Sequence, residues 1–288
     1  MGSNPTSASH KRNQSAVAKA MADILKLKSK NKKCGIAFGG NVLMKIQAVL
    51  FDLGETLINF GQVDAVAIFR QGGKLAYDFL RGLNQPTGPL SLFLLRHLLI
   101  IRFFQFLSNI TGRDFDSFEI LKKTERMRGV SLTDEQWDEF AWLWYEPLSR
   151  LGSIEPDLSQ TLEKLKSAGL KLGILSNTFI NAFMLDRHLE QFNLPGYFSI
   201  RLYSYQFKFR KPNRRIFIDS AQMMGCLPEN ILYVGDRLDN DVAGAAKTNM
   251  TPVLKRAYTN IGKTIPQNVR VIENLSELPA LISRINQG

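Results

Sequence analysis

Several side chains in this 288-residue chain could act together if the fold gathered them. Asp52 closes the apolar run 46–51, and Ser176 closes the run 170–175. Lys211, in Arg210-Lys211-Pro212-Asn213, follows the run 198–203. Asp236 follows Ile231–Gly235, and Asp241 lies five residues further on. Each has a plainer reading: a turn aspartate, a serine capping the next helix, a surface lysine before a proline. Asp239 and Asn240 flank Asp241, and an N-cap role suits it nearly as well. Together these residues share one theme. Clustered carboxylates repel one another and raise their own pKa values, and a divalent cation resolves this. Oxygen ligands of this kind suit Mg²⁺, which takes one or two carboxylates, waters and substrate phosphate. Lys211 and the backbone N–H groups of Asn177 and its neighbours after Ser176 could hold anionic phosphate oxygens, leaving Asp52 to attack phosphorus.

The elements that would position these residues alternate. Strands are expected over 46–51, 170–175, 198–203, 231–234, 252–255 and 269–272. Helices are expected over 156–167, 178–192, 213–225, 239–247 and 276–284. Such alternation predicts an α/β fold, a Rossmann-like doubly wound parallel sheet. In such a sheet the carboxyl ends of the strands form one edge, where ligands bind. Residues 59–151 interrupt the alternation with a run that reads as helical throughout, an inserted all-helical subdomain. Val63–Leu83 has helical spacing, broken by Gly72-Gly73. Thr133 with Gln136 forms a capping box ahead of a helix through Trp137, Phe140, Ala141 and Trp144, whose aromatics are expected in a core. The stretch 90–107 is strongly apolar and nearly long enough to span a membrane. Arg96, His97 and Arg102 lie within it, and each charge at mid-bilayer costs roughly 2.5–3.5 kcal/mol. A buried helix of the insert is the favoured reading, with a partner or membrane-surface face as the minority one.

Composition sets the remaining bounds. Apolar residues make up 44% and charged residues 22%, as in a globular protein. Cys34 and Cys226 stand far apart, which suggests neither a zinc site nor a disulfide framework, so a reducing, cytoplasmic setting is the default. The net charge of +11 is uneven: residues 1–45 carry +8 and the remainder +3. Residues 1–43 therefore read as a basic, disordered or loosely helical tail, with Val17, Met21, Ile24 and Leu25 at helical spacing. That tail could meet an anionic surface or act as an organelle-targeting peptide. The near-neutral body gives no reason to expect a nucleic-acid partner.

The motifs in this order resemble the haloacid dehalogenase-like (HAD) hydrolase superfamily, and within it members with a helical cap inserted after the first strand. Phe51-Asp52-Leu53-Gly54-Glu55-Thr56-Leu57 resembles the first motif and Leu175-Ser176-Asn177-Thr178 the second. Lys211-Pro212 resembles the third, and Gly235-Asp236 through Asp241 the fourth. The resemblance implies a catalytic core over 44–58 and 152–288, a cap over 59–151, and Asp52 as nucleophile. Ser176 and Lys211 would stabilise phosphate or phosphoaspartate. Mg²⁺ would be held by Asp52, the carbonyl of Gly54, Asp236 and Asp241.

One position departs from the pattern. Phosphatases of the superfamily carry a second Asp two residues after the nucleophile, where it protonates the leaving group; here that residue is Gly54. A positioned acid/base is worth about 10²–10⁴-fold in rate. Glu55 is the candidate substitute, and an exposed or helix-capping glutamate is its plainer reading. The dehalogenase, phosphonate hydrolase and P-type ATPase branches fit less well. The expectation is a Mg²⁺-dependent phosphatase on a small phosphorylated metabolite, with a weakly active or inactive binding protein of the same fold as the alternative.

Overall fold

The computed structural model describes residues 45–287, so the readings made for the basic tail lie outside the described residues. At its centre is a six-stranded sheet in the order β3-β2-β1-β4-β5-β6. The strands are β1 (Ala48–Phe51), β2 (Lys171–Ser176), β3 (Ile200–Tyr203), β4 (Ile231–Gly235), β5 (Thr251–Lys255) and β6 (Arg270–Ile272). All neighbours are parallel. β1 and β4 are buried at every position, which is why they read as unbroken apolar runs. The register pairs Phe51 with both Ile174 and Val234. The residues that follow on these three strands therefore emerge side by side.

Four helices follow β1 within residues 59–151: α1 (Ala65–Gly82), α2 (Leu90–Thr111), α3 (Ser117–Arg126) and α4 (Asp134–Ser149). They are followed by α5 (Leu158–Ser167), α6 (Ala182–Gln191), α7 (Arg214–Met224), α8 (Ala243–Ala246) and α9 (Leu278–Gln287). Local signals start the inserted helices. Asp64 and Asp116 cap α1 and α3 through their side chains, and the Thr133/Gln136 capping box opens α4. Between Asp236 and α8 the chain makes a π-helical turn, Leu238–Val242, where the sequence predicts an ordinary helix.

Two expectations are corrected. Gly72-Gly73 does not break α1, which runs through both residues. A Cβ on Gly72 would lie 2.4 Å from the Trp144 carbonyl oxygen, and one on Gly73 would lie 2.3 Å from Leu94 Cδ2. The glycines are there for close helix contact, not for flexibility. The second correction is α2, which is not buried. Leu92, Leu95, Leu99, Phe103, Phe106 and Ile110 are each 50–67% exposed, while Phe93 and His97 face inward. Among the described residues α2 is the one helix long and apolar enough to cross a membrane. Two of its polar side chains face Glu125, however: Arg96 donates to this buried carboxylate at 2.6 Å, and His97 Nε2 lies 3.2 Å from it, while Arg102 is exposed. Burial raises the Glu125 pKa, and His97 and Arg96 more than reverse this, leaving it lowered.

Candidate active site

The strand ends bring together what the sequence scattered over 190 residues. Asp52 follows β1, Ser176 ends β2, Asp236 follows β4, and Asp241 folds back from the π-helical turn. Gly235 makes that return possible, since a Cβ there would sit 2.4 Å from Asp241 Cγ. Asp52, Ser176, Lys211, Asp236 and Asp241 are all buried. With Gly54, Glu55 and Asn177 they line one polar cavity of about 360 Å³.

Lys211 is the hub. Its Nζ donates to Asp52 Oδ1 at 2.9 Å, to Asp241 Oδ1 at 2.6 Å and to the Tyr233 hydroxyl at 2.8 Å. These use its three N–H groups. Burial lowers the Lys211 pKa, and Asp241 and Asp52 outweigh it, so the ammonium is favoured. The Tyr233 hydroxyl donates in turn to the Leu175 carbonyl at 2.9 Å, and Asp241 Oδ2 accepts from the Arg237 backbone at 2.9 Å. Asn177 fixes the lysine from behind. Its Oδ1 accepts from Lys211 N at 2.8 Å and its Nδ2 donates to Lys211 O at 2.9 Å. The Asn177 side chain thus positions Lys211, leaving only its backbone N–H for the phosphate contact expected of it.

Carboxylate oxygens of Asp52, Asp236 and Asp241 lie within 4.8 Å of one another. One ammonium does not balance three such charges. Burial, then the Asp52 charge, push the Asp236 pKa up to about 7, with a Thr259 hydrogen bond partly opposing. A trio strained in this way, made only of oxygen donors, fits a hard divalent cation. Asp239, the other acid in the fourth motif, is exposed and pairs with Arg237.

Gly54 has no side chain to offer, and a Cβ placed there would meet only Phe60 Cε2, at 4.0 Å. Glu55 has φ 58°, a conformation that L residues rarely adopt. Its Oε1 accepts from the amides of Phe60 at 2.8 Å and Gly61 at 3.0 Å. Lys255 braces the same loop, 3.3 Å from Asn59 Oδ1 and 3.2 Å from Glu155. Glu55 therefore closes a loop while lining the cavity.

A model of the haloacid dehalogenase-like hydrolases matches residues 46–248. The chain belongs to the haloacid dehalogenase-like hydrolase family. It is 36% identical over 98 residues to the glyceraldehyde 3-phosphate phosphatase of Methanopyrus kandleri, covering 34% of this chain and 41% of that protein. It is 30% identical over 132 residues to the enzyme of the same name from Methanothermobacter thermautotrophicus, covering 44% and 58%. The chain thus spans about half the length of these curated relatives. Among solved structures it resembles a 2-haloacid dehalogenase from Pseudomonas syringae, with a TM-score of 0.55 at 21% identity over 83% of this chain and 99% of that one. At this identity the likeness is one of fold.

Sequence reasoning missed Tyr233 and Thr259. A tyrosine in an otherwise apolar, fully buried strand is a readable signal, because its hydroxyl must find a partner. Thr259 lies in a loop beyond β5 and gave none. Arg96 and His97, noted within the apolar stretch 90–107, line neither this cavity nor its strand ends and face Glu125.

Proposed function

We propose that the chain is a Mg²⁺-dependent phosphatase that uses Asp52 as its nucleophile. The observation that carries this reading is the Lys211 ammonium, bonded at once to Asp52 and Asp241 in a buried cavity shared with Asp236. In this reading residues 59–151 are a cap over a core formed by 44–58 and 152–288. Asp52, Asp236 and the Gly54 carbonyl would hold the cation, with Asp241 completing the acidic cluster. Bound there, Mg²⁺ offsets the charge of the carboxylates and of the arriving phosphate.

The Asp52 carboxylate attacks phosphorus, the bond from phosphorus to the ester oxygen breaks, and an aspartyl-phosphate forms. The Lys211 ammonium, held beside Asp52, offsets the phosphoryl charge, and the Ser176 hydroxyl donates to a phosphoryl oxygen. Water then attacks the same phosphorus and gives up a proton to solvent, the bond from phosphorus to Asp52 breaks, and the carboxylate and inorganic phosphate are freed. Glu55 is held by two backbone amides, so we assign it to loop closure, and the departing oxygen takes its proton from solvent. Turnover of poor leaving groups is correspondingly slow.

The test is phosphate release from a panel of phosphomonoesters by the full chain, with Mg²⁺ and with chelator. Asp52→Asn is expected to lose at least about 10⁴-fold, and release persisting in that variant would overturn the reading. Gly54→Asp, which the local space admits, is expected to gain about 10²–10⁴-fold on alkyl esters. It should gain far less on a nitrophenyl ester, whose leaving group needs no proton. The second reading, a binding protein of this fold with little turnover, is favoured by Gly54 and by the exposed apolar face of α2. Such a protein would keep its partner through Asp52→Asn.

A further inference from the structure

Beside the polar cavity lies a second one, of about 420 Å³, and its character is opposite. Val63 and Leu148 line both, so the two adjoin across these side chains. The walls of the second are apolar: Phe69 on α1, Leu98 and Ile101 on α2, Trp144 on α4, and Ile180 and Met184 beyond β2. Phe69 and Trp144 pack ring against ring with centroids 5.1 Å apart. Among the described residues no acid lines it, and its charges are two exposed arginines, Arg70 and Arg102.

A phosphate held by Lys211 must direct its ester group away from the buried strand ends. A short hydrophilic group would gain nothing from these walls, whereas an apolar chain would cover them. From this adjacency we propose that the substrate is a phosphomonoester of a long apolar alcohol, with its phosphate in the polar cavity and its hydrocarbon in the apolar one. The proposal narrows the substrate expected from the sequence, and it rests on the phosphatase reading of the polar cavity. Selectivity then comes from the inserted helices, through burial of methylene groups, while the strand ends treat every phosphate alike.

Two measurements on the full chain separate the proposal from the reading beneath it. The first is kcat/KM for n-alkyl phosphates from two to ten carbons. The second is calorimetric binding of the non-hydrolysable n-alkylphosphonates of the same lengths. Each added methylene is expected to improve both by about fourfold, the factor equivalent to about 0.8 kcal/mol, until the cavity is filled. Ile101→Asp and Ile101→Trp, which charge or fill the cavity at a half-buried position, should each lower kcat/KM for the decyl ester at least about tenfold more than for the ethyl ester. Release with no dependence on chain length would overturn this proposal and leave the phosphatase reading intact. Phosphonate binding that strengthens with length, without release from any ester, would overturn the phosphatase reading and keep the apolar pocket. Length-independent binding that varies with protein concentration would show that a second copy of the chain covers the pocket, and would also overturn the proposal.

Discussion

The two adjoining cavities are built on different principles. Around the polar one, every charged group sits in a web of directional bonds. Lys211 alone makes three through its ammonium and two more through its backbone. The apolar one is shaped by volume: glycines let α1 press on α4, and aromatic rings fill the gaps. Directional bonds hold few geometries and fail when one partner is lost. Packed surfaces can be reshaped one side chain at a time. A fold that keeps its chemistry in the first kind of structure and its selectivity in the second can change substrates without rebuilding its nucleophile.

The regions are not independent. Arg210, next to the hub lysine, donates to Ser108 and Asp114 at 3.0 Å each, and to Asn109 at 3.0 Å. Ser108 and Asn109 end α2, so the exposed apolar helix is anchored one residue from Lys211. Asp114 also bonds the Ser204 hydroxyl, which accepts from Thr178 just past Ser176.

The contrast breaks most severely at Lys211. Lys211→Met would leave Asp52, Asp236 and Asp241 buried with no cation beside them. Removing one partner of a buried ion pair costs about 3–5 kcal/mol, because the remaining charge stays desolvated. Chemical denaturation should show a loss of that size in the metal-free protein, and added Mg²⁺ should recover part of it. A loss below about 1 kcal/mol would mean that the web around the lysine is not what holds the strand ends together.

The same division explains what the sequence disclosed. The strand ends were legible because each pairs an unbroken apolar run with an abrupt polar residue, and parallel topology gives such residues one destination. Asp52, Ser176 and Asp236 could be named on that ground, and Lys211 by the Lys-Pro pair that follows the third strand. The role of Asn177 as a clamp on Lys211, and of Glu55 as a loop closure, depends on backbone geometry that spacing does not encode. Around the apolar cavity periodicity failed more broadly. α2 is apolar on nearly all sides, so its pattern could not say which face is inward. Gly72-Gly73 read as a break because helix propensity is a local property, whereas the contact with Trp144 depends on a residue 72 positions away.

Where the two regions meet, a histidine gives a test of intermediate size. The Tyr145 hydroxyl on α4 and His188 Nδ1 on α6 are 2.9 Å apart, and both residues are buried. Burial lowers the His188 pKa from its ordinary 6.5 to about 4, with the Ser149 backbone partly opposing. The folded state therefore keeps the ring neutral where the unfolded chain binds a proton. This contribution is intact above about pH 6.5 and is lost as pH falls from 6.5 toward 4, by up to about 3 kcal/mol. Thermal melts across that range should show the decline, and His188→Gln should flatten it. A decline of equal size in the variant would assign the effect to other groups.

The smallest effect comes from packing, and here two influences of opposite sign compete. Gly72 lies in mid-helix, where replacing glycine by alanine is ordinarily stabilising by about 1 kcal/mol. A Cβ at this position, however, would sit 2.4 Å from the Trp144 carbonyl oxygen and 3.0 Å from its carbon. Those are backbone atoms in the middle of α4, and they cannot rotate aside as a side chain could. Relief requires α1 and α4 to move apart, at the cost of the contacts that both make around the apolar cavity. Overpacking of this kind costs about 1–3 kcal/mol, so Gly72→Ala should be net destabilising despite its better helix propensity. It should also widen the apolar cavity while leaving Lys211 and its partners in place, so that binding of decylphosphonate weakens more than binding of ethylphosphonate. A stabilised Gly72→Ala protein would show that α1 and α4 have slack between them, and that the cavity wall is soft.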